Sequence, residues 1–238
     1  MKWLLASPSL EDFFRLLRAW RFWLLASLLG AAIGTVAYFI FPPNYRAQAT
    51  VVVDFNLEES LTEGNDRDLF YYLERETHKL EEVAWADETV DAVVQVIGDI
   101  SVAELRNERL HLSQPQDGAW HFYADDPDPV RAEKIVSLWA ESFDQQAQEG
   151  VANALALNAL KSALENNTIV LSEVEEKIQK LESESLRISA YLQISLTQKE
   201  SLPVERKTSL GEFVFFGATG MLFFAVLAIL FSGKVHEE

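Results

Sequence analysis

The chain has 238 residues, of which 49% are hydrophobic, and its 37 acidic and 20 basic side chains give a formal net charge of −17. Such an acidic surface repels phosphate backbones and anionic lipid headgroups, which argues against nucleic acid as a partner. Cysteine is absent, which excludes a disulfide framework and thiolate metal sites.

Two uncharged segments lie near the ends of the sequence, at residues 22–41 and 213–233. Each is long enough, at about 1.5 Å per residue, to cross a hydrocarbon core of about 30 Å, so we expect two transmembrane helices. A cleaved signal peptide is the alternative for the first segment. Its apolar core would be only about 7–15 residues long and would end at small residues rather than at Tyr38–Phe41.

Basic residues near the spans predict the topology, because Lys and Arg are retained on the cytoplasmic side of a membrane. They precede the first span and follow the second, at Lys2, Arg15, Arg18, Arg21 and Lys234. Arg206 and Lys207, on the other side of the second span, weaken this bias. We expect cytoplasmic tails at 1–21 and 234–238, and an extracytoplasmic domain at 42–212, in a cytoplasmic (inner) membrane. Removing the five basic and four acidic residues of the tails leaves that domain with 15 basic and 33 acidic residues.

The first span carries a stripe of small residues. Ala26, Gly30 and Gly34 recur at every fourth position, which places them on one helix face where another helix can approach closely. We interpret the stripe as a site of helix packing and oligomer assembly. The alternative is that glycine is simply common in membrane helices. Gly217 and Gly220 in the second span give a weaker signal of the same kind.

The segment after the first span is predicted to mix strands and helices. Pro42 and Pro43 end the first helix. Period-two and helical patterns then predict a strand, two helices, a capped turn and a hairpin, at Tyr45–Phe55, Leu69–Leu80, Val90–Ile97, Ser101–Arg106 and Leu110–Ala124. The connection within the hairpin contains Pro115, Asp117 and Gly118.

Three aspartates open the following helix. Asp128 has the character of a helix cap, and Pro129 suits the first helical position. Together with Asp125 and Asp126, the same carboxylates are an alternative site for a hard cation. Calcium requires six to eight oxygens from a shaped loop, so capping is the better interpretation.

A long helical arm is predicted over 128–184. From Leu157 a narrow heptad seam, typical of a coiled coil, runs along it through Leu157, Leu160, Leu164, Leu171, Val174, Ile178 and Leu181. We expect Leu164, Leu171, Val174 and Ile178 to contribute to packing and assembly. An unbroken helix would be about 80 Å long and the remaining chain could hardly return beside it, so we predict a bend or hairpin near Asn166, Asn167 and Thr168.

Apolar residues occupy every even position from Leu186 to Leu196, which predicts a strand. Pro203 marks a turn before the second span. The predicted fold class is therefore an α+β membrane protein, in which two terminal transmembrane helices flank a mixed α/β domain with a helical arm.

This arrangement resembles the bacterial chain-length determinants, or polysaccharide co-polymerases, in the form without a fused kinase. The resemblance covers essentially the whole chain and rests on the order of its parts: the two spans, the run Pro43, Tyr45, Ala47 and Val51–Val53 leading into a strand, and Asp126–Pro129 with Ala132 opening a long helix. Members of the family commonly carry several prolines before the second span and have a longer central loop, whereas this chain has only Pro203 there.

The resemblance implies a homo-oligomeric ring that controls how far a polymerase extends a surface polysaccharide such as an O-antigen or exopolysaccharide. The expected partners are further copies of the chain, the polymerase and a lipid-linked glycan. No enzyme activity and no cofactor are expected, which agrees with the lack of a phosphate loop, a zinc motif or a nucleophile elbow, and with four histidines without ligand spacing, His78, His111, His121 and His236. The alternatives are an adaptor that activates a separate cytoplasmic tyrosine kinase, and an extracytoplasmic sensor.

Overall fold

The computed structural model describes residues 10–60, 66–113, 118–166, 171–197 and 201–235. They form two compact units, one made of the residues up to Asn44 and from Arg206 onward, the other of residues 45–205. In chain order the elements are α1 (Leu10–Arg18), α2 (Trp20–Ile40), β1 (Tyr45–Asp54), α3 (Leu57–Ser60), α4 (Asp66–Ala84), α5 (Asp87–Ile97), α6 (Val102–Glu104), a π-helical turn (Leu105–Arg109), β2 (Leu110–Leu112), β3 (Ala119–Asp126), α7 (Pro129–Glu165), α8 (Leu171–Glu184), β4 (Gln193–Leu196), β5 (Val204–Arg206) and α9 (Leu210–Val235).

The first unit contains two helices that are long and apolar enough to cross a membrane, Trp20–Ile40 and Leu210–Leu230. They overlap the uncharged segments of the sequence, and the structure is thus compatible with a two-span membrane protein. The two helices pack on each other, and the rings of Tyr38 and Phe213 meet edge to face with centroids 5.5 Å apart.

The second unit is built on a five-stranded sheet with the order β2-β3-β1-β4, and β5 also pairs with β1. β1 runs antiparallel to β3 from Tyr45↔Asp126 to Val52↔Ala119, and to β4 from Val51↔Leu196 to Asp54↔Gln193. The predicted alternation in β1 is confirmed, since Ala47, Ala49, Val51 and Val53 are buried. One face of the sheet is therefore committed to the core.

The core lies between that face and the first half of α7. Phe122 on β3 meets the rings of Trp139 and Phe143 at centroid distances of 4.7 and 5.1 Å. The indole N–H of Trp139 donates to the carbonyl oxygen of Ala84 at the end of α4, 2.8 Å away. This bond satisfies a buried polar atom and ties α4 to α7.

Most of the predicted local features are confirmed. Gly98 closes α5 with a φ of 84°, in the left-handed region that glycine enters without steric cost. The side chain of Ser101 accepts from the backbone N–H of Glu104, and Asp128 caps α7 through the N–H of Val130 with Pro129 in the first turn. The hairpin pairs Leu110–Leu112 with Phe122–Ala124, and residues 114–117 of its connection lie outside the described residues.

The predicted reversal of the helical arm is confirmed. The arm consists of α7, which ends at Glu165, and α8, which starts at Leu171, while Asn167 and Thr168 lie outside the described residues. Lys161 Nζ lies 2.9 Å from Glu182 Oε1, and the side-chain amide of Asn153 donates to the carbonyl oxygen of Glu184. The two helices therefore lie antiparallel as a hairpin.

The strand predicted for residues 186–196 is wrong over its first half. Only Gln193–Leu196 form β4, and residues 185–192, here called the crossing loop, consist of turns. Leu186 and Arg187 have φ values of 53° and 58°, which a strand does not allow. Ile188 and Leu192 are buried, whereas Leu186 is exposed and Ala190 is half-buried, so the burial of the loop does not follow the period of two that the sequence shows.

Candidate functional site

The small-residue stripe of α2 packs against α9 of the same chain. Gly30 and Gly34 are buried, whereas most of α2 is exposed. A Cβ atom on Gly30 would overlap the carbonyl oxygen of Gly217, and one on Gly34 would overlap that of Phe213. The two backbones approach this closely because the glycines have no side chains.

This contact gives the stripe a partner within the chain. Ala26, its third member, is half-buried. A role for Ala26, Gly30 and Gly34 between protomers stays a prediction, and such a contact would compete with α9 for the same helix face.

The heptad seam lies on the facing sides of the α7–α8 hairpin. Leu157 and Leu181 are buried. Leu164, Val174 and Ile178 are half-buried, while the side chain of Leu171 lies outside the described residues. The seam therefore already packs within the chain, and its use between protomers also stays a prediction.

Pro203 leads into β5 rather than directly into α9. Its carbonyl oxygen accepts a hydrogen bond from the backbone N–H of Gln48, 3.0 Å away, and α9 begins at Leu210. Pro203 thus helps to attach the chain to the edge of β1.

The aspartates before α7 form ion pairs as well as a cap. Arg46 donates two hydrogen bonds to the buried carboxylate of Asp125, with its Nε 2.7 Å from Oδ1 and its Nη2 2.8 Å from Oδ2. Arg109 Nη1 lies 2.9 Å from Asp126 Oδ2. The hydrogen bond to Asp125 raises the pKa of Arg46. Both carboxylates are thereby engaged with guanidinium groups rather than open to a cation.

Among the residues that the structure describes, no group of three His, Asp or Glu side chains is placed to hold a metal ion. His111 Nε2 lies 3.1 Å from Asp125 Oδ2, and His121 Nδ1 lies 3.0 Å from the Gln48 amide nitrogen. These two histidines belong to the polar face of the sheet. His236 lies outside the described residues.

The second unit contains an open groove of about 1420 Å³. It lies between α4, the ends of β2 and β3, and the crossing loop, and we call it the aromatic groove. Its aromatic lining residues are Phe70, Tyr71, Tyr72, Trp120 and Tyr191. A second groove of about 940 Å³ shares Tyr72, Arg75, Ser189 and Tyr191 with it and extends toward the α7–α8 hairpin.

Glu76 holds the crossing loop against α4. Its carboxylate is 1% exposed and accepts from Lys79 Nζ at 2.7 Å and from the backbone N–H of Ser189 at 2.9 Å. Lys79 also donates to the carbonyl oxygen of Arg187. These contacts stabilise the left-handed residues Leu186 and Arg187, whose conformation costs roughly 1–2 kcal/mol each. Strained backbone that the surroundings hold in place is frequent at functional sites.

Two buried polar atoms of residues that line the aromatic groove have no partner among the described residues, Tyr72 Oη and Trp120 Nε1. Tyr72 is 9% exposed and Trp120 is 1% exposed. Most buried polar atoms in native proteins are hydrogen-bonded, so these exceptions need an explanation.

Our sequence interpretation missed this groove. Tyr72 and Trp120 lie within the predicted helix Leu69–Leu80 and the predicted hairpin Leu110–Ala124, and Tyr191 lies within the strand predicted for residues 186–196. The available signal was Glu76, an acidic residue within the apolar stripe of α4, because a buried carboxylate requires partners from elsewhere in the fold.

No protein-family model and no curated protein matches this chain. The likeness to chain-length determinants therefore rests on the residues and their order alone.

Proposed function

We propose that this chain is a non-enzymatic regulator of surface polysaccharide chain length. It acts as an oligomeric scaffold in the cytoplasmic membrane for a polysaccharide polymerase or export system. Two helices of membrane-spanning length bracket one α/β unit that carries a helical hairpin, and this order of elements is the observation that carries the proposal. It is the order that the resemblance to chain-length determinants implies.

The proposed topology has both tails in the cytoplasm and residues 42–212 outside. Arg15, Arg18 and Arg21 lie just before or at the start of α2, where the positive-inside rule expects cytoplasmic charge. The acidic central domain does not oppose this orientation, because long loops cross the membrane largely regardless of their charge.

The proposed assembly is a ring of identical protomers. Gly30 and Gly34 already hold α9, so contacts between protomers have to add to the helix pair or use other surfaces. Lipid-facing residues such as Leu28 and Leu29, which are 60% and 55% exposed, offer such a surface.

The proposal is tested by the length distribution of surface polysaccharide on a gel. Cells without the chain should lose their modal length, and restoring the gene should return it. An unaltered distribution would contradict the proposal and favour an adaptor for a separate tyrosine kinase, which would show phosphorylation of that kinase only in the presence of this chain.

A further inference from the structure

Two polar atoms in the wall of the aromatic groove are buried and have no partner among the described residues. The indole nitrogen of Trp120 is a donor only, whereas the hydroxyl of Tyr72 both donates and accepts. Both are buried and unpaired among the described residues of a groove wall. Because both atoms are buried, a ligand in the groove contacts the exposed side chains around them rather than these atoms.

The groove also presents flat apolar rings to solvent. Tyr71 and Tyr191 are 53% and 42% exposed, although tyrosine has a large apolar body that is stabilised by contact. These rings come from α4 and from the crossing loop, which Glu76 joins. A sugar ring has the matching chemistry, because it combines an apolar face of C–H bonds with a rim of hydroxyl groups.

The charge of the lining residues limits which polymers can bind. Asp68, Glu74 and Glu81 bring three carboxylates, against the guanidinium of Arg75 and a histidine, while the guanidinium of Arg67 lies 5.5 Å from the centroid of the Tyr71 ring. An anionic polymer would be repelled both by this lining and by the net charge of −17. An uncharged ligand carries no such penalty.

The size of the site favours a polymer over a single sugar. The two grooves measure about 1420 Å³ and 940 Å³ and share the side chains of Tyr72 and Tyr191. Sites for small ligands usually measure about 300–1,000 Å³, so the joined surface suits several linked units.

From these features we infer that the aromatic groove binds a segment of an uncharged glycan. Tyr71 and Tyr191 stack on the sugar rings. The inference names the ligand of the proposed chain-length regulator and rests on that function for its biological setting, whereas the binding itself is argued from the groove.

The test is binding to the full chain in lipid nanodiscs, which avoids detergents with sugar headgroups. The probes are three neutral oligosaccharides, maltohexaose, cellohexaose and laminarihexaose, and one anionic counterpart, hexagalacturonate. Saturation-transfer NMR and titration give binding and Kd. We expect at least one neutral hexaose to bind. We expect hexagalacturonate to bind more weakly than that neutral hexaose.

Two variants and a matched control locate the binding. Tyr191→Ala should weaken the Kd about tenfold, as expected for the loss of an exposed stacking ring. Tyr71→Ala should weaken it about fivefold, because this second exposed ring also lines the groove. Tyr123→Phe, which alters a tyrosine beside His121 on the other face of the sheet, should leave binding unchanged.

The inference is overturned if no neutral hexaose binds, if both groove variants bind like the wild type, or if hexagalacturonate binds most tightly. Failure of the proposed function is a separate result. A polysaccharide length that depends on the chain, without glycan binding, would refute the groove alone. Binding without any effect of deletion on length would keep the groove and refute the regulatory role.

Discussion

The Asp125 carboxylate shows how single side chains join the strands to the start of α7. It is almost fully buried at the end of β3 and meets Arg46 from the neighbouring strand β1 through two hydrogen bonds. Because Arg46 is itself about one third exposed, water lowers part of the desolvation cost of the pair. The contribution of the pair to stability is therefore measured most clearly by removing one partner, because the other partner is then left unpaired.

Asp125→Asn should lower the free energy of unfolding by about 1–3 kcal/mol, since it leaves the guanidinium of Arg46, which is one third exposed, without its counter-ion. Chemical unfolding of the full chain in micelles, followed by tryptophan fluorescence, measures the loss. Asp99→Asn is the matched control, because Asp99 is 68% exposed and pairs with Arg131 at the surface. It should cost less than about 0.5 kcal/mol, and equal losses in the two variants would contradict the account.

Asp144 predicts a pH dependence of stability. Burial raises the pKa of this carboxyl group, and a hydrogen bond from Gln148 lowers it in part. A raised pKa in the folded state favours the protonated form. The contribution of the protonated Asp144 side chain to stability is thus fully present below the unfolded pKa of about 3.9. It is lost as the pH rises through the pKa that the group has in the folded protein.

Asp144→Asn should consequently raise stability at pH 7 and change it little at pH 3. The gain should stay below about 0.5 kcal/mol, because solvent screens a partly exposed group. Thermal unfolding at the two pH values measures it, with the exposed Glu141→Gln as control. A variant that is less stable than the wild type at pH 7 would show that the charged carboxylate is favourable.

Among the elements, α2 and α9 depend on glycine for their close approach. Gly30→Ala should destabilise the helix pair by about 1–3 kcal/mol, because the new methyl group overlaps the carbonyl oxygen of Gly217. Gly220→Ala is the matched control, since nothing described lies within 4 Å of a Cβ there. It should be neutral or slightly stabilising, as alanine favours helix.

Thermal unfolding in micelles compares the two variants, and cross-linking in membranes reports assembly. Similar unfolding temperatures would contradict the helix contact. Replacing Gly30 and Gly34 by Leu should weaken assembly, and an accompanying loss of monomer stability would assign the effect to α9 rather than to a second protomer.

The α7–α8 hairpin uses glycine in a related way. Gly150 lies inside α7, where alanine would be the better helix former by about 1 kcal/mol. A Cβ there would lie 2.7 Å from Ile188 Cδ1 and 3.3 Å from the carbonyl oxygen of Ser185. The missing side chain lets the crossing loop pack on the helix, which in turn places Tyr191 at the groove.

For the whole molecule, the patterns in the sequence predict those structural features that depend on residues close together in the chain. The burial of Val51 and Val53, the cap at Asp128 and the left-handed Gly98 all follow from neighbouring residues, and each was predictable. The α7–α8 hairpin was predictable as well. A continuous helix would have been so long that the residues after it could hardly reach back to the second span.

The crossing loop and the groove were not predictable in this way. Ser189 reaches Glu76 across 113 positions of sequence, and this contact holds the loop where periodicity alone favoured a strand. Tyr71 and Tyr191 are likewise distant in sequence and line one groove only after α4 and the loop have packed together. Side chains from such separate segments leave no common pattern in the sequence.

In the proposed function, two apolar helices, an acidic α/β unit and the aromatic groove together control polymer length. The most direct measurement is the modal length of surface polysaccharide in three strains that express no chain, the wild type, or Tyr191→Ala at equal protein level. The account predicts a lost mode, a restored mode and a shifted or broadened mode, respectively. The same distribution with and without the chain would contradict it.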